Sequence, residues 1–384
     1  MWQATIQSSW ACTCAALALA WVAPGCGSTA QSTSSAASTS ASTGDEVSTG
    51  AELVDLVVLN ELQQGPGNIT VTPDGRVFVS QHQFYEPEVP VVLVKADGEV
   101  VPIITDGALD AVLGIQSDDE GVVWMLDNGL RSGTEPQLLA WDSRDGQRLM
   151  FIDLGEVTAK DSFVNDLVVD DTHRSLYIAD PAGGSNAAII VVDFEEQLAR
   201  RVLEGHESVV PEDVDLVIDG TPVRIRQPDG SELAPRVGIN PIAADADNEW
   251  LYYGPMHGHS MYRVRTSDLR DPTLSAEELA ARVERWADKP ICDGISIDTA
   301  GNIYISDLAA NAIGVIDAER NYRVLVSDPR LSWPDAFSYG PDGRMYVVAN
   351  QLHRSATLNA GTDASKPPYR VLTFKPLAPG VVGR

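Results

Sequence analysis

The stretch "DGISIDTAGNIYISD", from Asp293 to Asp307, decides the fold. It contains two short runs of alternating apolar and polar residues, separated by the turn Ala300-Gly301-Asn302. Alternation with a period of two predicts β-strands, and Gly and Asn tolerate the left-handed conformations that a hairpin turn requires. The stretch therefore predicts a β-hairpin. The same pattern occurs in five other segments, which begin at Gly67, Leu113, Val164, Ile239 and Pro334.

The repeated hairpins recur at a regular distance along the chain. Their equivalent positions are Asn68, Gly114, Asn165, Asn240, Asp293 and Asp335. The intervals between them are 46, 51, 75, 53 and 42 residues, and further strand pairs lie between the hairpins. A period of about 40 to 50 residues with four strands per repeat is typical of a β-propeller. We therefore predict an all-β, six-bladed propeller with four-stranded blades. A β-sandwich is the alternative, but it gives no reason for one hairpin to repeat at this period.

Two segments do not fit the repeat. The longest interval contains an insertion, Asp213–Pro235, with a hairpin turn of its own at Asp219-Gly220. The other segment, Ser275–Trp286, predicts a helix, because Ser275 and Glu278 form a capping box. We expect this helix to pack on the outside of a blade or over one face of the propeller. Its predicted apolar face consists of Leu279, Val283 and Trp286.

The first fifty residues predict export rather than a folded unit. An apolar run, Ala15–Ala23, has the length of a signal peptide and is too short to span a bilayer as a helix. It leads to Cys26 in a sequence that resembles a bacterial lipobox, in which the Cys is acylated. We therefore interpret residues 1–26 as a signal peptide with a lipobox, 27–50 as a disordered Ser/Thr/Ala-rich tether and 51–384 as the propeller. The alternatives are a plain secretory signal or a misassigned start codon.

Composition narrows the classes of partner and chemistry. The 384-residue chain has 27 basic and 55 acidic residues, a formal net charge of −28. Such a charge repels phosphate backbones, so nucleic acid is not an expected partner. We expect a monomeric protein that is either attached to the cell envelope or secreted. The membrane is an expected partner only through the lipidated N-terminus. Cys292 is the one cysteine of the propeller segment, which excludes an intrachain disulfide there. The chain lacks the motifs of serine hydrolases, P-loop enzymes and zinc proteases.

Three segments resemble the major royal jelly protein and yellow family. They are "GINPIAADADNEWLYYGPMHGHSMYRVRTSDLRD" from Gly238, "DKPICDGISIDTAGNIYISDLAANAIGVID" from Asp288 and "DPRLSWPDAFSYGPDGRMYVVANQLH" from Asp328. The resemblance covers roughly residues 55–377 and implies a six-bladed propeller. Insect members include nutritive proteins, proteins of pigment pathways with dopachrome conversion and salivary proteins that bind biogenic amines. The resemblance therefore leaves the activity open.

Propeller geometry predicts where a site lies. The innermost strand of each blade lines the central channel and the second strand runs back beside it, so the start of the first and the end of the second meet at one face. The strand starts supply Asn68, Asn165, Asp166, Asn240, Asp293 and Asp335. The strand ends supply His82, Asp127, Asn128, Asp180, His257, Asp307, Asn350 and His353. The alternative is that these residues only cap strands through bonds to nearby backbone. From this group we predict a ligand site formed by Asn165, Asp166, Asn240, His257, Asp293, Asp307, Asp335 and His353.

The strand starts also resemble those of calcium-dependent propeller lactonases of the gluconolactonase and regucalcin type. In that family a Glu, two Asn and an Asp bind one metal ion. The matching positions here are Asn68, Asn165, Asn240 and Asp293, so Asn68 replaces the Glu. The resemblance implies a calcium site, although calcium affinity rises with the number of carboxylates. His257 and His259 are two residues apart and form a second candidate metal pair without an identifiable third ligand.

Three classes of function are consistent with these observations. The first is an exported binding propeller that holds a small organic ligand at the mouth of its channel. The second is a lactonase-like hydrolase or an isomerase that uses a divalent cation on the same face. The third is an interaction protein of the envelope with an empty channel. We rank binding first, because a channel mouth with apolar and polar groups suits a small ligand.

Overall fold

The structure is a computed structural model that describes residues 54–384. Within this range, six four-stranded antiparallel sheets form a six-bladed β-propeller, as the hairpin repeat predicts. The predicted signal peptide, Cys26 and the tether lie outside the described residues. None of the helices in the described range is long and apolar enough to cross a membrane.

Blades 1 to 3 follow one another along the chain, after a first strand, β1 (Val57–Leu62), that belongs to blade 6. Blade 1 comprises β2 (Pro66–Val71), β3 (Val77–Gln81), β4 (Val91–Val94) and β5 (Val100–Pro102). Blade 2 comprises β6 (Val112–Ser117), β7 (Val122–Asp127), β8 (Gln137–Asp142) and β9 (Arg148–Asp153). Blade 3 comprises β10 (Leu167–Asp170), β11 (Ser175–Asp180), β12 (Ala188–Asp193) and β13 (Leu198–Val202). Short 3₁₀ turns occupy Gln83–Tyr85 and Asp171–His173.

The inserted segment precedes blade 4 and forms two small hairpins. They consist of β14 (Val217–Ile218) with β15 (Thr221–Pro222) and β16 (Ile225–Arg226) with β17 (Glu232–Leu233). Blade 4 comprises β18 (Ile239–Ala244), β19 (Trp250–Pro255), β20 (Ser260–Arg265) and, after the short helices α1 (Thr266–Arg270) and α2 (Ala276–Ala280), β21 (Glu284–Asp288). Blade 5 comprises β22 (Cys292–Ile297), β23 (Ile303–Asp307), β24 (Ala312–Ile316) and β25 (Tyr322–Ser327). Blade 6 comprises β26 (Pro334–Tyr339), β27 (Met345–Ala349), β28 (Tyr369–Phe374) and β1, with a 3₁₀ turn at Leu352–Arg354.

Burial falls from the axis to the rim of the propeller. Every residue of the innermost strand β6 is buried, whereas the outermost strand of the same blade, β9, is largely exposed. Apolar side chains fill the space between neighbouring blades; for example, Trp124 and Leu138 of blade 2 pack in one cluster with Leu167 of blade 3. The stability of the propeller therefore comes mainly from contacts between blades, with apolar burial contributing about 25 cal/mol per Å².

Blade 6 joins the two ends of the described chain. Strand β1 pairs antiparallel with β28, from Val57 opposite Thr373 to Leu62 opposite Tyr369. As the fourth strand of an antiparallel sheet, β1 runs opposite to the innermost strand, so it ends at the face where the innermost strands start and begins at the opposite face. At that opposite face, Arg344 donates to the carbonyl of Asp55. The described chain therefore begins at the face opposite the strand starts.

The predicted helix over Ser275–Trp286 is too long. The capping box of Ser275 and Glu278 is present, but helix α2 ends at Ala280. Blade 4 needs a fourth strand beside β20, and Glu284–Asp288 supplies it as β21, so Trp286 lies on a strand. Leu279 is buried in the cluster between blades 3 and 4, and the partly buried Val283 packs against the same cluster, so the helix packs against the blade as expected.

The same irregularity occurs where five of the innermost strands begin. In blades 1, 2, 4, 5 and 6 of the described chain, the pairing of the first two strands skips two residues on the inner strand. In blade 5, for example, Cys292 pairs with Asp307 and the next partner is Ile295, so Asp293 and Gly294 are unpaired. A bulge bends a strand and redirects its side chains. The skipped positions are those that include Asn68, Gly114, Asn240, Asp293 and Asp335.

The channel is closed at its far end by Gly383 and Arg384. The carbonyl of Gly383 accepts from Thr70 Oγ1 at 3.0 Å, and the Arg384 guanidinium donates to the carbonyl of Val169 at 2.8 Å. Asn68 and Asp166 line the other end of a remaining cavity of about 40 Å³. This volume holds a few water molecules or an ion but no organic ligand.

Candidate functional site

The strand starts bring three predicted residues into one hydrogen-bonded chain and two more into a separate pair. Asn165 donates its side-chain amide to Asn240 Oδ1, and Asn240 donates to Asp293 Oδ1. In addition, Asn68 Nδ2 of blade 1 donates to Asp166 Oδ1 of blade 3 at 2.9 Å. We call these five residues together with Asp335 the axial ring. Residues that are 53 to 98 positions apart in the sequence therefore meet because each occupies the same place in its blade.

Close backbone contact between blades tightens the ring. A Cβ atom on Gly294 would lie 2.3 Å from the carbonyl oxygen of Asp335, and one on Gly114 would lie 2.4 Å from the carbonyl oxygen of Asn165. Glycine is therefore required at both positions, because a side chain would push neighbouring strand starts apart. Ser306 Oγ accepts from the backbone nitrogens of Asp293, at 3.0 Å, and of Gly294, at 2.9 Å, which stabilises the bulge in blade 5.

Three carboxylates of the ring stand close enough to repel one another. Burial raises the pKa of Asp166 to about 8, and the Asp293 carboxylate adds to the rise. Burial also raises the pKa of Asp293 to about 6. The pKa of Asp335 is raised well above its ordinary value by burial and by the carboxylates of Asp293 and Asp166. Loss of solvation disfavours the charged forms, and each negative charge further disfavours the others.

The three carboxylates have no cationic partner among the residues that the structure describes. Within residues 54–384, none of them forms a salt bridge with Lys, Arg or His. Their hydrogen-bond partners are neutral: Asn68 for Asp166, Asn240 and Trp333 for Asp293, and Asn350 for Asp335. Buried carboxylates are ordinarily paired or bound to a metal ion. The axial ring is therefore an arrangement that a positively charged group would stabilise.

An apolar cover lies over part of the ring face. Leu216 and Ile218 of the insertion form one cluster with Met256, Trp333 and Leu352. Met256 and Leu352 follow the second strands of blades 4 and 6, and Trp333 precedes the first strand of blade 6. The insertion also bonds to the loop between β27 and β28 of blade 6, where Arg224 N donates to the carbonyl of Leu358 at 3.2 Å. The predicted insertion therefore helps to shape the site.

Two aromatic side chains lie on the ring face, one after the second strand of blade 1 and one before the first strand of blade 3. Phe84 follows the end of β3, Phe163 precedes Asn165 by two residues, and their ring centroids are 6.4 Å apart. Both side chains are only half-buried, unlike the fully buried Trp333. A ligand that reaches the carboxylates from this side would contact aromatic surface, which attracts cations as well as apolar groups. Sequence reasoning missed both residues, because neither belongs to a strand start or a strand end.

The predicted site residue Asp307 is on the same face but turns away from the axis. Its carboxylate accepts from the Tyr322 hydroxyl at 2.6 Å, within blade 5. Asp127 and Asp180 end the second strands of blades 2 and 3 and likewise bond to groups of their own blades. At these three strand ends the side chain caps its own blade, which is the alternative considered for the strand starts and ends. The aspartates at the strand starts instead belong to the axial ring.

Of the two predicted histidines, His257 is buried, whereas His353 is half-buried against Trp333 of the cover. His257 Nδ1 accepts from Val237 N at 3.2 Å, and its Nε2 has no hydrogen-bond partner within the described chain. His353 stacks on the indole of Trp333, with ring centroids 5.9 Å apart. Burial lowers the pKa of His257 to about 3 and that of His353 to about 4, so both are neutral. His259 bonds to the Lys289 carbonyl, which gives the two nearby histidines different partners.

The four residues matched to the lactonase metal site do not by themselves fit a calcium ion. Their polar atoms are engaged with one another or with backbone: Asn68 Oδ1 accepts from Ile69 N, and Asn240 Oδ1 accepts from Asn165. Both oxygens of Asp293 also accept hydrogen bonds. Calcium takes six to eight oxygen ligands, so these amides would have to turn their oxygens inward. A divalent ion at the ring would have to draw on the carboxylates of Asp166 or Asp335.

A second acidic group lies on the opposite face. Carboxylate oxygens of Asp118, Asp119 and Asp171 lie within 4.8 Å of one another, in the turns that follow the innermost strands of blades 2 and 3. Burial raises the pKa of Asp171 to about 6, and the other two carboxylates add to the rise. This group was not predicted, because the turn residues have the composition of ordinary hairpin turns.

Comparison with solved structures supports the fold. The chain superposes on a luciferin-regenerating enzyme with a TM-score of 0.55 at 14% identity, covering 86% of this chain and 98% of that one. A gluconolactonase from Xanthomonas campestris gives a TM-score of 0.54 at 14% identity, with coverages of 86% and 94%. The calcium-binding protein regucalcin from Agrobacterium tumefaciens gives 0.52 at 15% identity, with coverages of 86% and 98%. At these identities the likeness concerns the propeller alone.

Sequence comparison identifies the family. No curated protein sequence matches the chain significantly. The family model described as "Major royal jelly protein" matches residues 111–375, which span blades 2 to 6 and most of the axial ring. This agrees with the resemblance that the segments from Gly238, Asp288 and Asp328 carry. The chain therefore belongs to the major royal jelly protein family.

Proposed function

We propose that this protein is a binding propeller that holds a small organic molecule with a positively charged group, the charge lying against the axial ring. One observation carries the proposal: Asp166, Asp293 and Asp335 are drawn together away from bulk water without a cationic partner among the described residues. A bound cation would relieve their mutual repulsion and allow the carboxyls to ionise.

The chemistry beside the ring favours an aromatic amine. The channel cavity of about 40 Å³ admits an ion or an ammonium group but not a whole organic ligand. The body of the ligand would therefore remain at the mouth, against the half-buried rings of Phe84 and Phe163. An ammonium group gains from both the carboxylates and the aromatic faces, and an attached ring adds apolar contact.

The experiment compares two probes that differ in charge. Tyramine should bind to the purified residues 51–384, measured by calorimetry at pH 8, while 4-ethylphenol, which lacks the amine, should bind at least about tenfold more weakly. Asp293→Asn should weaken tyramine by about 10- to 100-fold, because a bond to a charged group contributes about 1.5–3 kcal/mol. The matched control is Asp119→Asn on the opposite face, where no change is expected. Equal binding of both probes, or of tyramine to wild type and Asp293→Asn, would contradict the proposal.

A second candidate is a divalent-cation-dependent hydrolase or isomerase. The observation that favours it is the same group of three carboxylates, which are hard oxygen ligands of the kind that calcium prefers. Thermal melting with calcium and with EDTA separates the two candidates. Calcium at 100 times its dissociation constant would stabilise the fold by about 2.7 kcal/mol, and Asp293→Asn would remove the effect. Calcium-dependent melting without tyramine binding would favour the second candidate.

We also propose that the protein is exported and anchored through Cys26. The apolar run Ala15–Ala23 and the polar tract of residues 27–50 support this, together with the start of the described chain at the face opposite the ring. In a bacterial host the wild type should partition into detergent, and Cys26→Ala should be released as a soluble exported protein. A wild type found in the aqueous phase would contradict lipidation but not export.

A further inference from the structure

Trp333 has a conformation that large residues rarely adopt. Its φ angle is 55°, in the left-handed region, and its side chain is fully buried. A bulky residue in this region is an outlier that the surrounding structure must hold in place. The carbonyl of Trp333 accepts from Asn350 N at 3.2 Å, and Gln351, which donates to the carbonyl of Ser332 at 2.9 Å, is itself left-handed with a φ of 57°.

This conformation directs the indole at the axial ring. Trp333 Nε1 donates to Asp293 Oδ2 at 2.6 Å, while Asn240 donates to the other oxygen of the same carboxylate. The Trp333 ring also lies nearly parallel to the imidazole of His353, with an interplanar angle of 10°. Two donors on different oxygens fix the plane of the Asp293 carboxylate, and each oxygen keeps a further lone pair for another donor.

Trp333 can be compared with Trp124, a tryptophan that forms the same type of bond on the opposite face. Trp124, in blade 2, is also buried and donates its indole to an aspartate, Asp118 Oδ2 at 3.2 Å. Asp118 stands in a turn on the opposite face, where it also accepts from backbone nitrogens. Trp124 therefore offers the same chemistry away from the ring and provides a matched control.

We propose that Trp333 is a positioning residue of the axial ring, which holds Asp293 in the orientation that receives a cationic group. This inference rests on the proposed function, and it adds a residue that no strand-start pattern contains. A carboxylate that is already oriented loses less conformational freedom when the ligand binds, so the ring is preorganised. Phenylalanine at this position keeps the aromatic volume but removes the donor.

The test combines binding with a signal that packing alone would not move. In Trp333→Phe, tyramine affinity should fall by about tenfold, whereas Trp124→Phe should change it by less than about twofold. In ¹⁵N-labelled protein without ligand, Asp293→Asn should shift one indole N–H signal, and that signal should be absent from Trp333→Phe. Tyramine should shift the same signal in the wild type. Equal tyramine binding by Trp333→Phe and Trp124→Phe would overturn the inference.

A measurement without ligand separates this inference from the proposed function. If wild type binds neither tyramine nor calcium, the proposed function fails. The positioning role is then tested with the side-chain amide signal of Asn240. This signal is assigned as the one that is lost in Asn240→Ser. Trp333→Phe should shift this signal, because Asp293 would reorient against Asn240, while Trp124→Phe should leave it in place. An unshifted Asn240 signal would overturn the inference irrespective of binding.

Discussion

The two faces of the propeller each carry a group of three aspartates and a buried tryptophan that donates to one of the three, yet the environments of the two groups differ. On the far face, Asp119 is exposed, Asp118 accepts from backbone nitrogens and the Arg384 guanidinium lowers the pKa of Asp171 against the effect of burial. On the ring face, the carboxylates have neutral partners. A group of acidic residues is thus a candidate site when its carboxylates are buried and have no cationic partner. The residue types alone do not reveal either condition.

The largest expected difference between the faces concerns glycine. Gly294→Ala should destabilise the protein by about 3 kcal/mol, because its Cβ would overlap the Asp335 carbonyl at 2.3 Å and separate blades 5 and 6. Gly301→Ala, in the far-face turn of the same hairpin, should cost only about 1 kcal/mol, because its Cβ meets nothing within 4 Å and the cost comes from a φ of +82°. Urea unfolding measures both. Equal losses would show that the strand starts are not tightly packed.

The next difference concerns pH. Because the pKa of Asp166 is raised to about 8, the folded state keeps a proton that the unfolded chain releases near pH 4. The free energy of unfolding should therefore fall as pH rises from about 5 to 8, by at most about 1.4 kcal/mol per pH unit for each such carboxyl. Asp166→Asn should flatten this fall in EDTA-containing buffer, and Asp119→Asn should not. Parallel curves for wild type and Asp166→Asn, from urea unfolding at each pH, would contradict the raised pKa.

The smallest effect is expected on the far face. Removing the charge of Asp119 should lower the pKa of Asp171 from about 6 toward its ordinary value, because the Asp119 carboxylate contributes to the rise. The free energy of unfolding should change by less than about 0.5 kcal/mol, since Asp119 is exposed. Carboxyl ¹³C shifts across a pH titration of Asp119→Asn report the first quantity and urea unfolding the second. A loss of several kcal/mol would show that this face also depends on its acidic group.

The sequence predicted the propeller because every blade repeats one hairpin, and it predicted the axial ring because strand starts must converge. It did not anticipate contacts that depend on tertiary partners. Asp307 was grouped with the site, but Tyr322, from the outer strand of its blade, takes its carboxylate. The helix was extended to Trp286 because its apolar spacing fits a helix, while the need for a fourth strand in blade 4 decides the outcome. The strand-start pattern does not include Trp333, whose left-handed backbone cannot be foreseen from a tryptophan in the sequence.

The pairing of β1 with β28 has a consequence for the order of folding. Residues 57–62 cannot complete their sheet until residues 369–374 have been synthesised, so the ring of blades closes last. Contacts between such distant segments slow folding, because the whole intervening chain must first be ordered or looped out. Until then β1 is a free edge strand whose exposed Val57 and Leu59 could pair with another chain. Substitutions in β1 should therefore affect the yield of soluble protein more strongly than the stability of molecules that have already folded.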